Sequence, residues 1–272
     1  MTLTIGSAPF GRSPGGVFNF DYEAPQHVLY FEDSPRRVRS ELGDRTVADS
    51  ERVKLLHETG HLPVYYFPQE DVDASLLEPT DHRTQCPFKG NASYWSIRVG
   101  DRVAENAIWS YPEPLDGAPP LAGYMAFRWD AVDRWLEEDE EIEGHPRDPY
   151  TRIDVRASSR HVRVGLRDEI LADTVRPKLL FETSLPTRIY VPRADVRTDL
   201  LSRSQTGTYC PYKGRASYWS ARASDEPVED VAWSYPEPFP EASKVRDHLS
   251  FLHEELVVEV DGAEIEHLPH RR

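Results

Sequence analysis

The chain has 272 residues, enough for two ordinary domains with cores of their own. Its formal net charge of −15 argues against non-specific binding to nucleic acid or to an anionic membrane, because phosphate binding needs clustered Lys and Arg. No run approaches a membrane-spanning length of apolar residues, so no transmembrane helix is expected.

The chain opens on "MTLTIGSAPFGRSPGG". A basic start followed by an apolar run is missing, so no secretory signal is read and a cytoplasmic protein is expected. Residues 1–35 read as an N-terminal extension carrying one added strand, "HVLYFED". Short β-type runs follow: "RRVRSEL", "PVYYFP", "SYWSIRV" and "AIWSY", rich in Val, Tyr and Trp and punctuated by Pro, Gly and Asp. "EDVDASLLEP" predicts a short helix capped at Asp71. Residues 133–159 are acidic and then Pro-rich. They read as a connector, with a helical turn or two around Trp135 before an extended link.

Beyond the connector the sequence repeats itself. "TQCPFKGNASYWS" (84–96) returns as "TYCPYKGRASYWS" (208–220), and "WSYPEP" (109–114) returns unchanged at 233–238. "RRVRSELGDRTVADSERVKLLHET" (36–59) returns as "RHVRVGLRDEILADTVRPKLLFET" (160–183). All three matches share one offset, 124 residues from Thr84 to Thr208. Two copies of one unit follow, 36–132 and 160–272, each long enough for its own core. Copy 2 carries "RHVRVGL", "TRIYVP", "SYWSARA", "VAWSY" and "LVVEVDG" as strands. It also carries a short helix in "ADVRTDLLSR" capped at Asp195, and a hairpin in "VDGAEI" (260–265) with Asp-Gly at its turn. The expected fold class is mainly β with minor short helices, as two tandem domains.

Alternation assigns faces. Ser93, Trp95, Ile97 and Val99 share one side, read as core; Tyr94, Ser96 and Arg98 share the other, read as solvent or pocket wall. Trp109 and Tyr111 fall together, as do Trp233 and Tyr235.

"HETGH" (57–61) spells the HExxH pattern of zinc metalloproteases, which needs a helix to set both His on one face. Its counterpart is "FETSL", with Phe181 and Leu185 in place of the histidines. Gly60 and Pro63 oppose a helix, and no third ligand lies at a suitable spacing, so chance matching is the better reading. Cys86 and Cys210 form neither a disulfide framework nor a metal spacing, so no metal or cofactor is expected.

Residues kept by both copies and not explained by turns or core are the candidates for a site. They are Glu58, Cys86, Lys89, Ser93, Tyr94 and Tyr111, with Glu182, Cys210, Lys213, Ser217, Tyr218 and Tyr235 as their copies. In "CP[FY]KG" a Lys three residues after the thiol could lower its pKa and make a nucleophile; a small buried residue before a hairpin is the plainer reading. Glu58 with Lys89 could form a general acid/base pair or an ion pair tying two strands, and burial decides between them.

The combination "TxCPxKGxASYWS…WSYPEP", preceded by "ET…YxP…DV" and occurring twice, resembles the DUF427 family of unknown function in its tandem two-copy form. The resemblance covers most of the chain. It implies small β-rich domains of the β-tent or Mss4-like kind. Several folds of that kind hold zinc with two CxxC pairs, but each copy here has one Cys. Methionine sulfoxide reductases of related shape use a catalytic Cys, which keeps a thiol enzyme in view. A nucleotidyltransferase label attached to the family finds no paired metal-binding carboxylates or Gly-Ser nucleotide motif here. The expectation is an aromatic-walled pocket in each repeat binding a small polar molecule. The alternatives are an enzyme using Cys with Lys or Glu with Lys, or a structural module without a site. The oligomeric state is left open.

Overall fold

A computed structural model describes residues 2–222 and 227–265. The chain divides into two compact units, 1–148 and 149–272. The first contains β1 (Leu29–Asp33), β2 (Val38–Leu42), β3 (Arg45–Ser50), β4 (Lys54–Glu58), β5 (Val64–Pro68), β6 (Leu77–Cys86), β7 (Gly90–Val99), β8 (Arg102–Ser110), β9 (Tyr124–Phe127), β10 (Arg134–Glu137) and β11 (Glu140–Ile142). They form a seven-stranded sheet, order β1-β4-β5-β9-β8-β7-β6, and a four-stranded sheet, order β11-β10-β2-β3. Every strand pair is antiparallel.

The second unit repeats the design with β12 (Ile153–Ala157), β13 (Val162–Leu166), β14 (Glu169–Thr174), β15 (Lys178–Glu182), β16 (Arg188–Pro192), β17 (Leu201–Cys210), β18 (Gly214–Ala221), β19 (Val228–Ser234), β20 (His248–Phe251), β21 (Leu256–Val260) and β22 (Ala263–Glu264). Its sheets have orders β12-β15-β16-β20-β19-β18-β17 and β14-β13-β21-β22. The chain is thus mainly β in two similar halves, as the repeat requires. Asp261 and Gly262, both at positive φ, turn β21 into β22, which is the hairpin expected from Asp-Gly. The last residues of the second sequence copy, 266–272, and residues 223–226 lie outside the described residues.

Three local readings are corrected. Trp135 sits in β10, not in a helical turn: it lies opposite Ser40 of β2, and Glu138 at φ 51° turns the chain into β11. The acidic run is thereby set against arginines, with Arg39 bonding Asp139 at 2.9 Å. The two expected helices are pairs of single 3-10 turns, Gln69–Asp71 with Ala74–Leu76 and Arg193–Asp195 with Thr198–Leu200. Between the turns Val72 and Val196 are extended, because each bridges to a strand, at Ala48 and Ala172. Asp73, not Asp71, caps the second turn of copy 1, while Asp71 and Asp195 accept the hydroxyls of Ser50 and Thr174. Finally, β1 has a counterpart: β12 pairs β15 just as β1 pairs β4.

Each seven-stranded sheet is covered on both faces. In the first unit Leu55, Tyr65, Phe67, Ile97, Ile108 and Phe127 pack with Val38, Leu42 and Val47 of the smaller sheet. Trp95 leans on this core, as expected. The opposite face is not solvent: Leu56, Tyr66, Ala92, Tyr111 and Leu121 form a second cluster, with Cys86, Tyr94 and Trp109 against it. The second unit has the same pair of clusters. A strand covered on both sides must be apolar at successive positions, which is why "KLL" and "VYYF" do not alternate.

Candidate functional site

Glu58 ends β4 on the same side as Leu56, so alternation delivers its carboxylate to the second cluster. The next residue, Thr59, accepts the backbone N–H of Val28 at 3.0 Å, and Thr183 accepts that of Arg152 at 2.8 Å. The "ET" pair kept in both copies therefore has two jobs. The Glu faces the cluster, and the Thr fastens the segment leading into β1 or β12.

Lys89 comes from the turn between β6 and β7, where Cys86 pairs with Gly90 across a three-residue loop. Gly90 has φ 108° and Gly214 has φ 96°. A Cβ at either would stand 3.1 Å from the carbonyl oxygen of Glu113 or Glu237. The glycine thus serves both a left-handed backbone and a close approach of the "WSYPEP" segment. Lys89 O accepts the Leu115 N–H, and Lys213 O accepts the Phe239 N–H, each at 3.2 Å.

These two placements bring the charged groups together. Lys89 Nζ donates to Glu58 Oε2, and Lys213 Nζ donates to Glu182 Oε2 at 2.6 Å. Glu58 and Lys89 are each 8 % exposed. Burial alone would raise the Glu58 carboxyl, but the Lys89 ammonium, with His27 and His61, outweighs it and holds the group below its ordinary value. His27 Nε2 lies 3.0 Å from Glu58 Oε1, and the His27 ring stacks on Phe88 with centroids 3.7 Å apart.

The tyrosines wall this pair. Lys89 Nζ is 6.0 Å from the centre of the Tyr111 ring. Burial raises the Tyr111 hydroxyl above its ordinary value, and the neighbouring Cys86, Tyr94 and Glu58 push it further the same way. Tyr235 is raised likewise by burial, then by Tyr190, Cys210, Tyr218 and Glu182. Tyr94 shares a hydrogen bond with Thr84 at 2.8 Å, and Tyr218 with Thr208 at 3.1 Å. Cys86 and Cys210 are free thiols, half-buried, each packed against the cluster.

Of the candidates, then, Glu58, Cys86, Lys89, Tyr94 and Tyr111 gather in the first unit, and Glu182, Cys210, Lys213, Tyr218 and Tyr235 in the second. Ser93 and Ser217 do not join them. Each immediately precedes the wall tyrosine in its strand and so faces the other side of the sheet, where Ser217 Oγ accepts Arg203 at 3.1 Å. Tyr66 and Tyr190 were missed. Both are 1 % exposed, and their hydroxyls accept Trp109 and Trp233 indole N–H groups at 3.4 and 3.3 Å. Their signal was available, because Tyr66 recurs at the repeat offset as Tyr190. His27 and Arg188 carried no such signal, since Thr151 and Val64 stand at the matching positions.

The histidines of "HETGH" do not converge. His57 is fully buried on a strand and bonds Glu32 at 2.8 Å, while His61 lies beyond Gly60 and is exposed. Among the described residues no group of three or more His, Cys, Asp or Glu side chains could hold a metal ion.

The model of one family, described as a domain of unknown function (DUF427), matches residues 30–138 and again 154–263. The chain belongs to the DUF427 family. Both matched segments of this DUF427 chain begin inside the first strand of a unit, β1 and β12, and each contains one complete Glu–Lys–Tyr cluster. No curated protein matches the chain. No helix among the described residues is long and apolar enough to cross a membrane.

Proposed function

We propose that each unit binds a small polar molecule at its Lys–Glu pair, between the flanking tyrosines. One observation carries this reading: two copies that differ at many positions retain the same Lys–Glu pair, buried in the first unit and part-buried in the second, set among the same three tyrosines and one thiol. A buried ion pair is a poor device for stability alone, because desolvation offsets most of its attraction. An ammonium with three donors, only one of them spent on the carboxylate, is suited to holding a carbonyl or hydroxyl oxygen of a ligand. Aromatic walls with a few convergent polar groups are the usual make-up of such sites. Acid/base catalysis fits less well. A catalytic Glu is tuned upward toward neutrality, whereas Lys89 and His27 push Glu58 downward. Two unpaired thiols in separate units favour a reducing, cytoplasmic setting.

A second reading, a thiol enzyme, draws on the position of Cys86 and Cys210 in the walls. Screening the full chain against a fragment panel by indole NMR, following Trp109 and Trp233, separates the readings. Binding at the pair predicts saturable shifts of both indoles, lost in the Lys89→Met, Lys213→Met variant and kept within about threefold in Cys86→Ser, Cys210→Ser. Fast alkylation of either thiol in the native protein, together with ligand binding abolished by the serine variants, supports the enzyme instead. Silence of both indoles to every fragment leaves a pair that only braces strands.

A further inference from the structure

The two sites differ in one charged group. Val64 of β5 lies opposite Leu56, on the cluster side of the first sheet. Its counterpart, Arg188 of β16, lies opposite Leu180, on the side that carries Tyr190 and Glu182. The Arg188 guanidinium stands over Trp233, 5.9 Å from the ring centre. Burial pushes it down from the ordinary arginine value, and the Glu182 carboxylate acts on it in the opposite sense. An arginine keeps its charge even so.

The Arg188 side chain makes no hydrogen bond or ion pair among the described residues. Most arginines of this chain are paired: Arg176 with Asp195, Arg197 with Asp199, Arg167 with Glu255. The Glu182 carboxylate, which acts on Arg188, is held by Lys213. The guanidinium is half-buried over an indole, and no group of the described residues takes up its five donors, which leaves them to solvent or to a ligand. The second site therefore holds two cations against one carboxylate. In the first site Val64 is apolar, and the carboxylate accepts from Lys89 while its other oxygen meets His27.

We propose that the two sites have diverged in ligand charge: the second receives an anionic group of a small molecule, held by Arg188 with Lys213 beside it, and the first a neutral one. The planar fork of Arg188 suits a carboxylate or a phosphate, and both belong to the same chemical class here. This rests on the pocket reading given above and sharpens it.

The test uses the full chain at about pH 8, above the titration range of an ordinary imidazole. Inorganic phosphate and malonate are titrated while the Trp109 and Trp233 indole resonances are followed. The expected result is a saturable shift of Trp233 by one or both anions, with Trp109 unmoved. Arg188→Val, which installs the residue of the first site, weakens the Trp233 response by at least about tenfold, and Arg188→Lys weakens it less. Val64→Arg brings an anion response to Trp109. Melting temperatures of the variants separate misfolding from loss of binding. Equal anion responses at both indoles, or an unchanged response in Arg188→Val, overturn the proposal. Responses of both indoles to neutral fragments but to neither anion also overturn it, while leaving the pocket reading intact. Silence to every probe sinks both.

Discussion

Lys89 and Glu58 are the residues on which most rests, and their contact has a measurable sign. Lys89→Met removes the ammonium from a carboxylate at 8 % exposure that still meets His27. A cost of about 2–3 kcal/mol is expected in urea unfolding near pH 7, of which the double variant Glu58→Gln, Lys89→Met recovers at least about 1 kcal/mol. The pH dependence follows from the direction of the Glu58 shift. Its folded-state value lies below the ordinary 4.5, so the unfolded chain takes up the proton first on acidification. The contribution is full above about pH 4.5 and is lost as the pH falls through the folded-state value. Unfolding midpoints of the native chain and Lys89→Met should therefore converge as the pH falls below the ordinary carboxylate value, and a constant gap would refute the assignment. Most of these residues were legible, because a duplicated chain compares itself with itself. The face of Ser93 was also legible, since alternation set it opposite Tyr94, and only its retention in both copies suggested a site role.

At the scale of elements, the turn between β6 and β7 does the positioning. Gly90 and Gly214 combine a left-handed backbone with a carbonyl oxygen at 3.1 Å from any Cβ. Gly90→Ala should cost about 1–3 kcal/mol, and faster hydrogen exchange at the Leu115 amide, which bonds Lys89 O, should report the loosened contact. If that exchange rate is unchanged, the turn does not depend on the glycine as described. Strands were readable from composition and punctuation, and the type of the short helices was not. "EDVDASLLEP" has helical letters, but Val72 is pulled into a bridge with Ala48 and splits the segment into two turns. Trp135 was lost to the same effect. Its acidic neighbours favour a helix locally, and pairing with β2 overrides them.

For the whole molecule, charge makes the firmest statement. At −15, with its arginines largely spent on intramolecular pairs, the chain should not retard DNA or RNA in a gel at any salt concentration; a salt-dependent shift would contradict this. What the sequence determined by itself was the duplication, the β class and the set of polar residues held in common. Those are matters of local pattern and of identity at a fixed offset, which need no third dimension. The tertiary structure decided which of them meet. Glu58 and Lys89 lie on different strand pairs of one sheet, and only the strand order β1-β4-β5-β9-β8-β7-β6, with the "WSYPEP" segment closing over the turn, brings them to one place. It also set His27 beside Glu58 in the first unit and Arg188 over Trp233 in the second. Neither is kept in the other copy, and their placement follows from the packing of strands around a charged pair, which no linear pattern encodes.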